Sequence, residues 1–146
     1  MKKKVLYYVA ILTALLLCTA RTFADDPLPK GWKPNLDLVA HSIKNDLEKS
    51  NAQQEMNLLS GLLAEVKDAE LAIVYLHLYA ALSRGKRAKL KAEQTAWLEK
   101  REREVKETTP ADGTRGTIAP LEENEAFLKA TEVRTRELQA RLKKMP

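Results

Sequence analysis

Gln94-Thr95-Ala96-Trp97-Leu98-Glu99-Lys100-Arg101 is the stretch from which the fold is read. On a helix advancing about 100° per residue, Gln94, Trp97 and Arg101 fall within roughly 60° of one another, so an amide, an indole and a guanidinium share one stripe. Trp97 and Arg101 are four residues apart, where a guanidinium can lie on an indole face for about 0.5–2 kcal/mol, depending on how dry the site is. The stripe has two readings. In one, Trp97 anchors a helical core while Gln94 and Arg101 tie down its rim. In the other, the three form a surface for a ligand or partner. Spacing alone favours the first.

Working outward, the helix that carries this stripe is expected from Lys86 to about Glu107. Its first half is basic (Lys86, Arg87, Lys89, Lys91) and its second half acidic (Glu99, Glu102, Glu104, Glu107). Both blocks oppose the helix dipole, so its stability must come from packing through Leu90, Trp97, Leu98 and Val105. The helix before it starts near Ala52 and is long, with Gly85 expected as its left-handed C-terminal residue after Arg84. Met56, Leu59, Leu63, Val66 and Ile73 trace one stripe, and Leu71, Tyr75, Leu78 and Leu82 trace another. Between Leu71 and Leu82 this helix is apolar almost all round, as a helix contacted on several sides must be. It is the expected centre of a bundle.

Thr108 to Pro120 is rich in Thr, Gly and Pro and reads as a loop. A last helix follows from about Leu121 to Lys144. Leu121, Leu128, Leu138 and Leu142 lie near a 3.5-residue period, with Glu122 and Glu123 in the first turn and Arg141, Lys143 and Lys144 in the last, as the dipole prefers. At the other end, Asn35 is placed to cap a first helix whose inward positions are Leu36, Val39, Ala40, Ile43 and Leu47. This helix stops at the turn Lys49-Ser50-Asn51. No strand-like alternation or internal repeat occurs, and the fold class is all-α: a bundle of about four main helices with a long central second helix.

Residues 1–24 read as a signal peptide. Met1-Lys2-Lys3-Lys4 is basic, Val5 to Cys18 is apolar, and Thr22-Phe23-Ala24 has the small residues of a signal-peptidase site. The apolar run is shorter than the ~20 residues a bilayer-spanning helix needs, so no stable membrane span is expected once the signal is cleaved. Cys18 is the sole cysteine, and Leu15-Leu16-Leu17 before it suits lipid attachment poorly. Residues 25–34 (DDPLPKGWKP) form an extended lead-in containing Trp32, and residues 35–146 form the helical domain. Cleavage after Ala24 places the domain outside the cytoplasm, periplasmic or secreted, and leaves it without cysteine. Its core must then hold without a disulfide.

Cleavage also removes Lys2, Lys3, Lys4 and Arg21. Taking these four from the 25 Lys and Arg of the whole chain leaves 21 against 20 Asp and Glu. The basic pI belongs mostly to the leader and does not mark a nucleic-acid partner.

Catalytic machinery is missing. The expected mature chain has no cysteine nucleophile, no GxSxG and no phosphate-binding glycine loop, and its carboxylates sit beside Lys and Arg on helix faces. His41 and His77 fall on different helices without metal-ligand spacing. The reading is a non-enzyme with no cofactor and no metal, working by binding a protein.

The series Glu70-Leu71, Tyr75, Leu82, Leu90, Gln94, Trp97 and Arg101-Glu102 resembles the motif of the lysozyme-inhibitor LprI-like family of small exported helical domains. Gln53-Gln54-Glu55-Met56-Asn57 looks like the segment that precedes a family cysteine, and Thr131, Arg134 and Leu138 look like the motif of its last helix. The resemblance implies a helical fold, export and a protein partner such as a lysozyme. It also implies a mainly structural role for Leu71, Tyr75, Gln94, Trp97, Arg101, Thr131, Arg134 and Leu138. Family members typically carry paired cysteines where this chain has Leu47, Leu59, Val105 and a residue near Ala126, replacements that suit buried places no longer cross-linked. Lysozymes are commonly cationic with a carboxylate-lined cleft. Glu99 and Glu102 as an acidic patch, and Arg115 as a loop plug, are the candidate partner-binding residues.

Overall fold

Asp37 begins the first helix of the computed structural model, which describes residues 34–108 and 114–145; the signal peptide and all of the lead-in except Pro34 lie outside the described residues. Helix α1 spans Asp37–Lys49 with Leu36, not the expected Asn35, at its N-cap; Asn35 Oδ1 instead accepts from the Asp37 N–H at 2.8 Å in a turn one residue ahead, since its side chain pairs with the backbone two residues on. Only Ala40 is fully buried on this helix. Leu36, Ile43 and Leu47 are half-buried beside it, whereas Val39, expected inward, is exposed. The physical reason is the narrowness of the contact: Leu36, Ala40, Ile43 and Leu47 share one stripe, and Val39 sits about 70° off its centre line.

Helix α1 ends at Ser50, whose Oγ donates to Glu55 Oε2 at 2.6 Å and so ties the turn to the start of α2 (Gln53–Ala81). At 29 residues α2 is about 43 Å long. Its C-terminus departs from the glycine-capped end expected at Gly85. Leu82 adopts an extended conformation, α3 (Arg84–Thr108) starts two residues later, and Gly85 lies within the first turn of α3. Arg87 removes the need for a left-handed residue. Its guanidinium reaches back to donate to the carbonyls of Leu82 (2.8 Å) and Ala80 (2.9 Å), two groups the helix end would otherwise leave unpaired.

A short 3-10 turn, Gly116–Ile118, leads into α4 (Ala119–Lys143). Gly116 is the one described glycine at positive φ (54°). Pro120 sits in the first turn of α4, where its missing N–H costs nothing. The described residues are helical with no strand.

The most extensive helix interface is between α2 and α4, which run in the same direction; α1 packs back along α2, and α3 packs along α4 in the opposite sense. Leu71, Leu78, Leu82, Leu90 and Leu138 form the buried core, with Val74, Tyr75, Tyr79, Trp97, Leu142 and Met145 packed against it. This core occupies one end of the bundle. Toward the other end polar pairs join the buried Leu63 and Ala64: Asn124 Nδ2 donates to the fully buried Ser60 Oγ at 2.9 Å, and Asn57 Nδ2 to the Thr117 carbonyl at 2.8 Å. A buried hydroxyl paired in this way avoids the ~1–3 kcal/mol of an unmet polar group.

Candidate functional site

The stripe Gln94, Trp97, Arg101 of α3 faces Phe127, Thr131 and Arg134 of α4. Helical spacing on both sides brings them together: positions three and four apart on each helix present one row to the other. Arg101 Nη1 donates to Thr131 Oγ1 at 3.0 Å and also to Asp68 Oδ1 of α2, so one guanidinium joins three helices. The carbon of that guanidinium lies 3.9 Å from the centroid of Phe127 and 4.9 Å from that of Trp97. Arg134 completes the arrangement from α4. Its Nε donates to Gln94 Oε1 at 3.0 Å, its Nη1 to Glu137 Oε2 at 3.0 Å, and its guanidinium carbon sits 5.7 Å from the Trp97 ring. The indole is thus held by two guanidinium groups, one from each helix.

Burial is distributed in reverse of the simplest expectation. Gln94 (8 % exposed) and Arg101 (9 %) are buried, while Trp97 is only half-buried. The polar groups are therefore the inner part of the joint and the indole lies toward its outside. They can be buried because each has a partner: Arg101 the fully buried Thr131 hydroxyl, and Gln94 the Arg134 guanidinium. Arg134 Nη2 is the exception, buried without a partner.

The remaining motif residues are in the leucine core. Leu71 and Leu138 are buried, and Tyr75 packs against them with its ring 5.9 Å from that of Tyr79. Burial and the neighbouring Tyr79 push the Tyr75 phenol above its ordinary pKa, so it stays neutral. Leu47, Leu59, Val105 and Ala126 are all half-buried.

Glu99 and Glu102 lie exposed on the outer face of α3. Glu102 accepts from Lys106 at 2.8 Å, which holds its carboxyl below the usual range, and Glu104 pairs with Lys100 at 3.3 Å. Half of the acidic block is thus balanced by lysines of the same helix. Arg115 lies ahead of the 3-10 turn and pairs with Glu122 of α4. The structure does not join Arg115 to Glu99 or Glu102 through an ion pair.

Asp68 and Phe127 are the members of the joint that sequence reasoning missed. A signal existed for each: Asp68 is a carboxylate one turn before the core Leu71, and Phe127 sits one turn ahead of Thr131 in a chain with two phenylalanines. Chemically the joint is a set of paired donors and acceptors, Arg134 Nη2 apart, without a nucleophile. Among the described residues no three His, Cys, Asp or Glu converge as a metal site, and no helix is long and apolar enough to cross a membrane.

The sequence model of the lysozyme inhibitor LprI family matches residues 44–138, from the second half of α1 to the buried Leu138. The chain belongs to the lysozyme inhibitor LprI family. No curated protein and no solved structure matches it. The matched span contains both halves of the joint, so the two parts of the LprI resemblance, Gln94-Trp97-Arg101 and Thr131-Arg134-Leu138, meet across the α3–α4 interface.

Proposed function

We propose that this chain is an exported, non-enzymatic domain of the bacterial envelope that binds a lysozyme-type muramidase and inhibits it. The observation that carries the reading is the LprI family match over residues 44–138. The chemistry of the joint is in keeping with it, because its ionisable and polar side chains are spent on holding helices together rather than poised to react. The leader-like residues 1–24 support export. A mature balance of 21 basic to 20 acidic residues gives no long-range steering toward a cationic enzyme, so recognition must rest on a local surface.

The stripe Leu121, Leu128, Leu138, Leu142 does not favour a self-associating alternative. Leu138 is fully buried, Leu142 packs on the core, and Leu121 and Leu128 are half-buried. The test is lysis of a peptidoglycan substrate by chicken-type and goose-type lysozymes, with and without the purified mature protein. Saturable inhibition at stoichiometric protein is expected. Full lysis at every ratio would remove the reading and favour an adaptor for an endogenous envelope partner.

A further inference from the structure

Helix α3 is fastened along α4 and meets α2 through Arg87, the buried Leu90 and the Arg101–Asp68 pair; outside these contacts one side of α2 stays open. On that side Leu58, Leu62, Glu65, Ala69, Ala72 and Leu76 follow one another at steps of 4, 3, 4, 3 and 4, the spacing of a helix that receives a second helix. Leu58 is 63 % exposed and Leu62 41 %, with Glu65, Ala69 and Ala72 exposed after them. Singly exposed leucines are ordinary; a row apolar at five of six positions along about 27 Å of one helix is not.

Beside this row runs an open trough of about 510 Å³ between α2 and α4, in which Gly61, Ala69 and Ala72 leave room and Phe127 gives an aromatic floor. Its charged lining is of one sign. Glu65 and Asp68 line it and no Lys or Arg does. Asp68 engages Arg101 yet keeps 43 % of its side chain exposed. Lys67, the neighbouring cation on α2, is turned to Glu70 at 2.9 Å. Lys91 of α3 stands on the adjoining groove that shares Asp68 and Ala72.

We infer that this trough is the docking surface for the partner, and that what docks is a basic amphipathic helix. Its apolar side chains lie on Leu62, Ala69, Ala72 and Phe127, and its Lys or Arg side chains meet Glu65 and the free edge of Asp68. The inference rests on the proposed function, since a cationic muramidase supplies such a surface, and it names the face that does the binding. Charge complementarity selects the occupant: an acidic peptide or a nucleic acid would meet two carboxylates, while a neutral apolar helix would cover Glu65 without a partner, Asp68 already being paired with Arg101.

The experiment is a binding titration of the purified mature protein against chicken-type and goose-type lysozymes at two salt concentrations, with sedimentation of the protein alone. Ala69→Trp fills the trough and Glu65→Lys reverses its charge; both positions are exposed, and a thermal melt confirms that each variant is folded. Leu38→Lys, on the 84 % exposed outer face of α1, is the control. The expected result is saturable wild-type binding that weakens with salt, is reduced about tenfold or more by each trough variant, and is unchanged by the control. Trough variants that bind as wild type overturn the docking surface and leave the family reading standing. A wild-type protein that binds neither lysozyme overturns both. A dimer in sedimentation that Ala69→Trp dissociates assigns the trough to a second copy and overturns the inference.

Discussion

Replacing Arg101 by Ala tests whether the three-helix joint holds the bundle together. The hydrogen bond to the fully buried Thr131 hydroxyl is charge-assisted and worth about 1.5–3 kcal/mol. The pair with Asp68 adds at most about 1 kcal/mol, because 43 % of the Asp68 side chain is in water and rehydrates when the guanidinium leaves. Contacts with Phe127 and Trp97 contribute about 0.5–1 kcal/mol each. Arg101→Ala should therefore destabilise by roughly 3–5 kcal/mol, measured by urea unfolding as a lower midpoint at constant slope. The structure makes a sharper demand through double-mutant cycles. Arg101→Ala combined with Thr131→Val must show a larger coupling energy than Arg101→Ala combined with Asp68→Ala, since the first pair is dry and the second is not. An Asp68 coupling equal to or larger than that of Thr131 would refute this account of the joint. So would a loss below about 1 kcal/mol for Arg101→Ala.

Three further outcomes follow from the same geometry. Trp97→Ala should cost about 2–4 kcal/mol in urea unfolding, short of the largest values for a fully buried Trp because the indole is half-exposed; a melt indistinguishable from wild type would move Trp97 from the core to a binding surface. Gly61→Ala should stabilise by about 0.5–1 kcal/mol, because the added methyl meets Asn124 Nδ2 at an ordinary 3.5 Å and glycine is the poorer helix former; a lowered melting temperature would contradict the packing of α2 against α4. The hydrogen bond from Arg141 holds the Glu93 carboxyl below its ordinary pKa, so its stabilisation is present above the unfolded-state value of about 4.3 and is lost as pH falls through the lower folded value. With both side chains more than a third exposed, Glu93→Gln should lower stability by less than about 1 kcal/mol at pH 7 and by nothing at pH 2; a difference that persists in acid would mean the two groups interact by packing rather than charge.

Periodicity is what made the helices readable. The apolar row of α2 and the leucines of α4 announce buried faces because hydrophobic burial acts through local spacing, and the structure puts Leu71, Leu78 and Leu138 in the core accordingly. The ends were less legible, because a cap depends on a group that reaches it from elsewhere. Gly85 has the composition of a C-terminal stop, yet Arg87 supplies the carbonyl partners that make such a stop unnecessary. Val39 has the right residue type for the core and the wrong angle for a helix that packs along a narrow stripe. The joint was half legible. Gln94, Trp97 and Arg101 are visibly one stripe, but nothing local says that the Gln and Arg will be more deeply buried than the Trp, since their partners lie 30 to 40 residues away along the chain.

Asp68 connects the joint to the trough. One of its oxygens engages Arg101, and the side chain also borders the open side of α2. That arrangement follows from how α3 is held. Helix α3 is fastened to α4 by Arg134–Gln94 and Thr131–Arg101 and meets α2 at Arg87, Leu90 and the Asp68 pair, and it leaves Ala69 and Ala72 exposed. On the proposed reading, the motif side chains matter for binding without themselves touching the partner. By fixing α3 on α4 they help leave a strip of α2 uncovered, and under the proposed docking its small side chains, exposed leucines, Glu65 and the exposed edge of Asp68 are what a basic helix would meet.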